Sequence, residues 1–283
     1  MKYEFDKNRK RILECPCGKN NNDGKFIAFK GYISKGYCYS CCQLIGLNNE
    51  EIKKILLIPS YEKPKPISTI NNEILIKTLC CYENNNFIQF LYSKFEKSKI
   101  DEIINLYKIG SSKKGTVFWQ IDIYNNIRAA KIIKYNKLNG KRDKTINPSW
   151  VHTEIPLKDY VLTQCFYGEH LISKNLNNII GIVESEKTAI VASLYYPDIT
   201  WIATGGKMGL SINKLEVLKN RRIIIFPDTN AFGYWTNKLE DIKKYITKEC
   251  YINSFLQNNA TENEIEEGID IVDYLLENKM FVI

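Results

Sequence analysis

The sequence predicts an α/β protein whose C-terminal part carries a mostly parallel sheet. A small β-rich basic subdomain, a helical segment and an N-terminal cysteine module precede it. Three observations carry this reading. From Asn178 onward, short apolar runs alternate with helical stretches, the pattern of strands covered by helices on both faces. Residues 115 to 165 instead read as strands returning through Asn-rich turns. Two close cysteine pairs fall within the first 41 residues.

Taken in order, residues 1–48 form the cysteine-bearing module, and 49–72 read as a linker. Within that linker an apolar segment, Ile52 to Ile58, is followed by Pro59, Pro64 and Pro66, and prolines so spaced neither continue a helix nor sit inside a sheet. Residues 73–110 are helical: Phe87, Phe90, Leu91 and Phe95, then Ile100, Ile103, Ile104 and Tyr107, recur at helical spacing, with a break expected near Ser98-Lys99 and an end at Gly110. Residues 111–177 form the basic subdomain, with strands from Thr116 to Asp122 and from Ile127 to Tyr135 about an Asn125-Asn126 turn. Residues 178–283 give strands at Ile179–Val183, Thr200–Ala203, Arg222–Phe226 and around Cys250–Phe255. Helices are expected at Glu186–Tyr195, Ile212–Leu218 and about Trp235–Ile246. In such folds ligands gather outside the C-terminal ends of the strands.

Bulk properties narrow the classes. The 283 residues are 44% hydrophobic and 25% charged, an ordinary globular composition. Forty Lys and Arg against 32 Asp and Glu give a net charge of +8, a moderate attraction for polyanions. No apolar run approaches the roughly 18 residues a bilayer span needs. The opening residues lack the apolar stretch of a secretion signal, so the expected location is cytoplasmic, with no membrane partner. Nine cysteines in a reducing compartment point first to metal ligation.

Cys15-Pro16-Cys17-Gly18 and Cys38-Tyr39-Ser40-Cys41 are the two pairs. Zn²⁺ takes four thiolates tetrahedrally, and two tight turns at the ends of a β-ribbon supply them. Gly18 and Gly36 suit those turns, and Cys42 is an alternative to Cys41 as fourth ligand. A closed site of thiolates is structural rather than catalytic. Phe26, Phe29, Tyr32, Tyr37 and Tyr39, interleaved with Lys25, Lys30 and Lys35, read either as stacking platforms for bases or as the module's own core.

Two acids stand directly after predicted strands, Glu184 after Ile179–Val183 and Asp228 after Arg222–Phe226. Carboxylates at neighbouring strand ends can converge on Mg²⁺ or Mn²⁺, hard cations that take oxygen ligands. Asp270 and Asp273 offer a further acidic site, with helix capping as the plainer reading of either alone. Glu184 in Ile-Val-Glu-Ser-Glu-Lys-Thr-Ala resembles the glutamate motif of Toprim domains in bacterial primases and topoisomerases. Asp228-Thr229-Asn230 resembles their Asp-x-Asp motif, and Asp270 to Leu275 the acidic stretch that closes primase-type versions. The cysteine module is similar to the zinc ribbon ahead of such domains, and residues 116–144 to their basic subdomain.

Over nearly its full length the chain also resembles a primase-like family from Bacteroidetes mobile elements and phages that has no assigned activity. Thr116 to Asp122, Cys165 to His170, Val183 to Ala189 and Ala203 to Gly206 carry that likeness. Two positions depart from the Toprim pattern: Ser185 replaces the motif glycine, and Asn230 the second aspartate. An amide ligates a cation without charge and so more weakly.

The densest positive stretch is Arg128, Lys131, Lys134, Lys137, Lys141, Arg142 and Lys144. Strand alternation puts Arg128 and Lys134 on one face and Lys131 on the other. Lys187 joins these as a candidate phosphate contact, as does Lys207 after Gly205-Gly206. Trp119 and Trp150 read as flanking platforms or core, and His152 and His170 fall in no nucleophile–base pattern. There is no Walker-type loop, so any unwinding falls to a separate replicative helicase.

The resemblance implies a DNA primase-like nucleotidyl transferase acting on single-stranded DNA with divalent metal, Glu184, Asp228, Asn230, Asp270 and Asp273 forming the site. The alternatives are a catalytically degenerate Toprim protein that binds nucleic acid in replication or on a mobile element, and a Toprim nuclease in phage–host conflict.

Overall fold

The computed structural model describes residues 3–41, 43–48, 50–51, 67–155, 157, 159–174, 176 and 178–277. The apolar segment expected at Ile52–Ile58, the run from Pro59 to Pro66, and Cys42 lie outside the described residues. The chain divides into two compact units, Met1–Lys65 and Pro66–Ile283.

In the first unit three short antiparallel strands, β1 (Phe26–Ala28), β2 (Gly36–Cys38) and β3 (Gln43–Ile45), form one sheet. Cys15, Phe26, Ala28 and Cys38 make its small core. Phe26 and Phe29 are buried there, whereas Tyr39 is exposed. Asn21 organises the surrounding loops: its amide donates to the backbone oxygens of Ile12 and Phe26 and accepts from Phe26 N. Gly36 differs from its expected role. It lies inside β2 at close approach to β1, where a Cβ would stand 2.3 Å from the Ile27 oxygen.

The second unit opens with helices α1 (Asn72–Ile76), α2 (Asn86–Lys94) and α3 (Lys97–Tyr107). The break between the last two falls at Phe95-Glu96, where Phe95 is extended, rather than at Ser98-Lys99. Lys108, with φ 53, ends α3. Gly110 therefore belongs to the following strand, packed where a Cβ would meet Thr78. An antiparallel sheet follows in the order β4 (Ile109–Ser112), β5 (Gly115–Ile121), β6 (Ile127–Ile133) and β7 (Ser149–Trp150), with helix α4 (Val151–Glu154) after it.

Beyond residue 178 come β8 (Ile179–Val183), α5 (Glu186–Tyr195), β9 (Ile199–Ala203), α6 (Ile212–Leu215), β10 (Ile223–Ile225), α7 (Phe232–Tyr245) and β11 (Cys250–Ile252). Three short helices complete the unit, α8 (Phe255–Asn259), α9 (Glu262–Glu267) and α10 (Ile271–Leu276). All pairs in this sheet are parallel, in the order β11-β10-β8-β9. Helix α5 is buried from Glu186 to Ser193, as a helix packed on more than one side must be. Gly181 in β8 leaves room for the Trp201 ring, which a Cβ would meet at 2.6 Å.

The two sheets of this unit share one core. Phe87, Phe118, Tyr135, Tyr167, Val183, Trp201 and Val272 belong to a single buried cluster. The Phe118 and Tyr167 rings meet edge-on at 5.5 Å, and Tyr107 donates its hydroxyl to the Trp201 oxygen at 2.9 Å. This shared packing fixes the antiparallel sheet beside the C-terminal edge of the parallel one.

Candidate functional site

Since β8 and β10 are adjacent and parallel, the residues that follow them emerge at the same edge. Glu184 and Asp228 are those residues, and the charge of Glu184 acts directly on Asp228. Burial holds both carboxyls above the usual carboxylate range, and for Asp228 the nearby Glu184, Asp270 and Asp273 push further in that direction. The Glu184 carboxylate takes the backbone N–H of Lys207 and feels its ammonium and that of Lys131. Even so, Glu184 Oε2 and Asp228 Oδ1 are buried with no hydrogen-bond partner among the described residues.

Asp270 is the N-cap of α10, its Oδ1 accepting from Val272 N and Asp273 N, while Asp273 accepts from Asp270 N. That reciprocal pairing explains the spacing of the two acids. It does not remove them from the site, because Thr188 donates to Asp270 Oδ2 and both acids line the same cleft as Glu184. Ser185 caps α5 by accepting Thr188 N at 3.1 Å, and its hydroxyl meets that of Thr188 at 2.7 Å. The residue standing for the motif glycine thus helps to position Thr188 toward Asp270.

The cleft has a volume of about 590 Å³. It is lined by the acids Glu184, Glu186, Glu267, Asp270 and Asp273 and by the bases Lys131, Lys141, Arg142, Lys144 and Lys187. Lys131 is already engaged: its ammonium lies 3.2 Å from Glu186 Oε1 and donates to the Gly205 oxygen at 3.0 Å. Lys141 and Arg142 sit on a turn that Gly140 anchors, with φ +62 and no space for a Cβ against the Phe90 ring.

Other candidates lie elsewhere. Arg128 is buried against Asp122 at 3.2 Å and does not line the cleft. Lys134 and Lys137 are exposed outside it. Asn230 is exposed, with its amide against Gly268, where a Cβ would fall 1.9 Å from Nδ2. Its backbone oxygen accepts from Lys207 Nζ at 2.9 Å. Trp119 is a core residue donating to Thr78, and His170 is buried with Nε2 on the Leu106 oxygen. Burial lowers the His170 pKa and keeps it neutral.

The donor set suits a hard cation, since two buried carboxylate oxygens lack any partner within the chain. Among the described residues, no three carboxylates bring ligand oxygens within 4.8 Å of one another. A fit to Mg²⁺ therefore rests on one or two carboxylates with water and phosphate oxygens completing the shell.

In the first unit, Cys15, Cys17 and Cys38 bring their sulfurs within 4.8 Å of one another, a cluster consistent with a structural zinc site. The Cys17 to Cys38 separation of 4.0 Å is near the ~3.8 Å edge of a tetrahedron with Zn–S bonds near 2.3 Å, and the Cys15 to Cys17 separation of 3.0 Å is shorter than it. Gly18, with φ +84, closes the first turn by donating to the Cys15 oxygen. At the second turn burial raises the Cys38 thiol, but hydrogen bonds from the Cys41 N–H, the Cys41 and Cys15 thiols and the Ser40 N–H together outweigh it and lower the pKa to about 7. Cys41 turns its thiol toward Cys38 and Cys17.

Fold and site together define the class: a Toprim-like α/β domain with a parallel sheet, beside an antiparallel β-rich region and helices, with an N-terminal cysteine cluster of zinc-ribbon type. Residues 85–229 match the family described as "Domain of unknown function (DUF6371)", and the chain belongs to that family. The matched span includes Glu184, Asp228 and the basic wall but neither the cysteine cluster nor Asp270 and Asp273. No curated protein matches the chain.

Among solved structures, a DnaG catalytic core is similar at 11% identity and a TM-score of 0.47, over 73% of this chain and 81% of that one. The primase fragment of the bacteriophage T7 primase-helicase protein is similar at 16% identity and a TM-score of 0.42, over 91% and 97%. The E. coli primase catalytic core follows at 12% identity and 0.44, over 73% and 81%.

The sequence did not disclose Glu186 or Thr188 as parts of this region. Glu186 is 1% exposed and pairs with Lys131 across 55 positions of sequence. Thr188 meets Asp270 across 82. Only the tertiary fold brings such partners together.

Proposed function

We propose that the cleft is a metal-dependent nucleotidyl-transfer site of DNA primase-like character, acting on single-stranded DNA. One observation carries the reading: Glu184 and Asp228, on adjacent parallel strand ends, each keep a buried carboxylate oxygen without a partner, and Glu184 lines the same cleft as Lys141, Arg142 and Lys144. Glu184 and Asp228 would hold Mg²⁺ or Mn²⁺, with Asp270 and Asp273 adding negative charge beside them. A divalent cation there supplies neutralisation of the charge that develops in phosphoryl transfer. Lys141, Arg142 and Lys144 position phosphate groups without reading sequence. Zinc held by Cys15, Cys17 and Cys38, with Cys41 as fourth ligand, supplies folding energy to the small first unit.

A second reading, a binding protein without catalysis, is favoured by Asn230, which brings no charge and packs against Gly268 away from the acids. Primer synthesis on single-stranded DNA, followed with labelled nucleotides in Mg²⁺ or Mn²⁺, separates the two. The first reading expects product from the wild type and a loss of about 10²-fold or more in E184Q and D228N, the scale of removing a main electrostatic contribution. DNA binding that persists under chelation with no product would establish the second. Cleavage of the strand in place of extension would make the site a nuclease. Among the described residues no helix is long and apolar enough to cross a membrane.

A further inference from the structure

Two of the described cysteines serve neither the zinc-type cluster nor the core. Cys165 and Cys250 are buried, and burial pushes both thiols up, the Cys250 thiol to about 12, which keeps them inert. Cys80 and Cys81 are instead both exposed, in the turn between α1 and α2. Adjacent side chains in an extended chain point to opposite sides. Here Cys81 takes the left-handed conformation, with φ 58 and ψ 36, which is unfavourable for a residue with a Cβ. Both sulfurs then stand on one side, 3.2 Å apart, the Cys81 thiol donating to the Cys80 sulfur. The Cys80 thiol in turn donates to the Lys77 oxygen at 3.5 Å. The backbone beside them is tied to the antiparallel sheet. Cys80 N donates to the Thr78 oxygen at 2.8 Å, and Thr78 Oγ1 accepts from Trp119 Nε1 at 2.9 Å.

We propose that Cys80 and Cys81 are a modification site, a vicinal dithiol that closes to a disulfide by exchange with low-molecular-weight disulfides and reopens on reduction. The Cys80 thiolate attacks one sulfur of the small disulfide, whose S–S bond breaks to release one small thiolate. The Cys81 thiolate then attacks the Cys80 sulfur of the mixed disulfide and displaces the second small thiolate. The protein pair loses two electrons and two protons, and the small disulfide becomes two thiols. Cys80 attacks first because it is the acceptor in the bond between the pair, which leaves Cys81 as the proton-bearing partner that follows. Such a bridge is no staple. Stabilisation through the unfolded chain grows with the length of the loop closed, and adjacent residues close almost none. Neighbouring Cα atoms lie about 3.8 Å apart, below the lower limit of about 4.4 Å for relaxed bridges. The ring therefore strains the turn, and exposed, strained bridges are the readily reduced ones. Strain passed to Thr78 loosens its contact with Trp119, so the oxidised form is the less stable. Neither cysteine lines the acidic cleft, and the proposal stands apart from the nucleotidyl-transfer reading.

The test equilibrates the full chain in glutathione buffers of rising oxidised-to-reduced ratio, then quenches and alkylates it for mass spectrometry. Trypsin cuts after Lys77 and Lys94, so the peptide Thr78–Lys94 holds both sulfurs and no other cysteine. In oxidising buffer that peptide is expected unalkylated and lighter than the dithiol by two hydrogens, and dithiothreitol restores both alkylation sites. In C81S the exchange is expected to stop halfway, with one glutathione held on Cys80. Oxidation should lower the wild-type melting temperature by about 2–4 °C relative to C80S/C81S treated alike, a comparison that cancels effects at the other thiols. A peptide alkylated at both cysteines even in fully oxidised glutathione would overturn the proposal. Wild-type protein that keeps glutathione on Cys80 without closing the ring, or that bridges either sulfur to another cysteine, would do the same. A melting temperature raised by oxidation would make the ring a staple and remove its role as a reversible site.

Discussion

At the scale of single residues, the site is defined by what its acids lack. Asp228 is half-buried, feels three other carboxylates, and keeps one buried oxygen without a partner. Its folded-state pKa is raised, as are those of Glu184 and Asp273. A raised carboxyl contributes stability below its unfolded value, near 4, and loses it as pH climbs through the folded value. Metal-free protein should therefore become less stable from about pH 4 toward neutral, in the part of the profile these groups govern. D228N should flatten that slope and raise the metal-free melting temperature at pH 7 by about 2–4 °C, the effect of ~1 kcal/mol in a chain of this size. The same variant should lose most of the stabilisation that Mg²⁺ gives the wild type. Scanning calorimetry across pH, with and without Mg²⁺, reads both, and a D228N protein less stable than wild type without metal would refute the account.

At the scale of elements, agreement between sequence and structure follows how local the determinants are. Strand β8 and helix α5 fall where the apolar run Ile179–Val183 and the cap at Ser185 put them. The helices before residue 110 were less legible. Asn85 caps α2 by accepting from Phe87 N and Ile88 N, and its amide reaches the Gly110 oxygen and the Ser111 hydroxyl, partners remote in sequence. Lys108 ends α3 in a left-handed conformation that no glycine marks. The dense positive stretch groups Arg128 with candidate phosphate contacts, but charge density along the chain names no partner, and Asp122 takes it. For the cysteine turns the decisive measurement is metal content. Wild-type protein should carry about one zinc per chain, and C38S should lose it together with the ordered signals of residues 3–48, since thiolate ligation is the main folding energy of so small a core. Full zinc retention by C38S would exclude that sulfur as a ligand.

For the molecule as a whole, electrostatic asymmetry matters more than net charge. The excess of +8 is modest, but Lys141, Arg142 and Lys144 lie together on one wall of the cleft. Replacing all three with alanine should weaken single-stranded DNA binding and reduce the slope of log affinity against log salt by about 0.7 for each lost contact, roughly 2 in all. Fluorescence anisotropy between 50 and 200 mM salt, a range over which such slopes are usually resolved, is sufficient. An unchanged slope would place the strand elsewhere. Sequence reading foresaw two sets of charge, acidic strand ends and a basic stretch. That Glu184 and the basic stretch share one cleft depends on the common core around Phe118 and Tyr167, which no local pattern announces.

The contact between Lys131 and Glu186 has a mechanical meaning. It joins strand β6 to helix α5 with little solvent access, and the same ammonium also holds the Gly205 oxygen. Removing one partner of such an enclosed ion pair costs about 3–5 kcal/mol, so the pair resists separation of β6 from α5. The floor acts as a fixed crossbeam, so the groove is a mould and not a jaw. A ligand of the proposed site would be selected by its thickness and by where its charges fall.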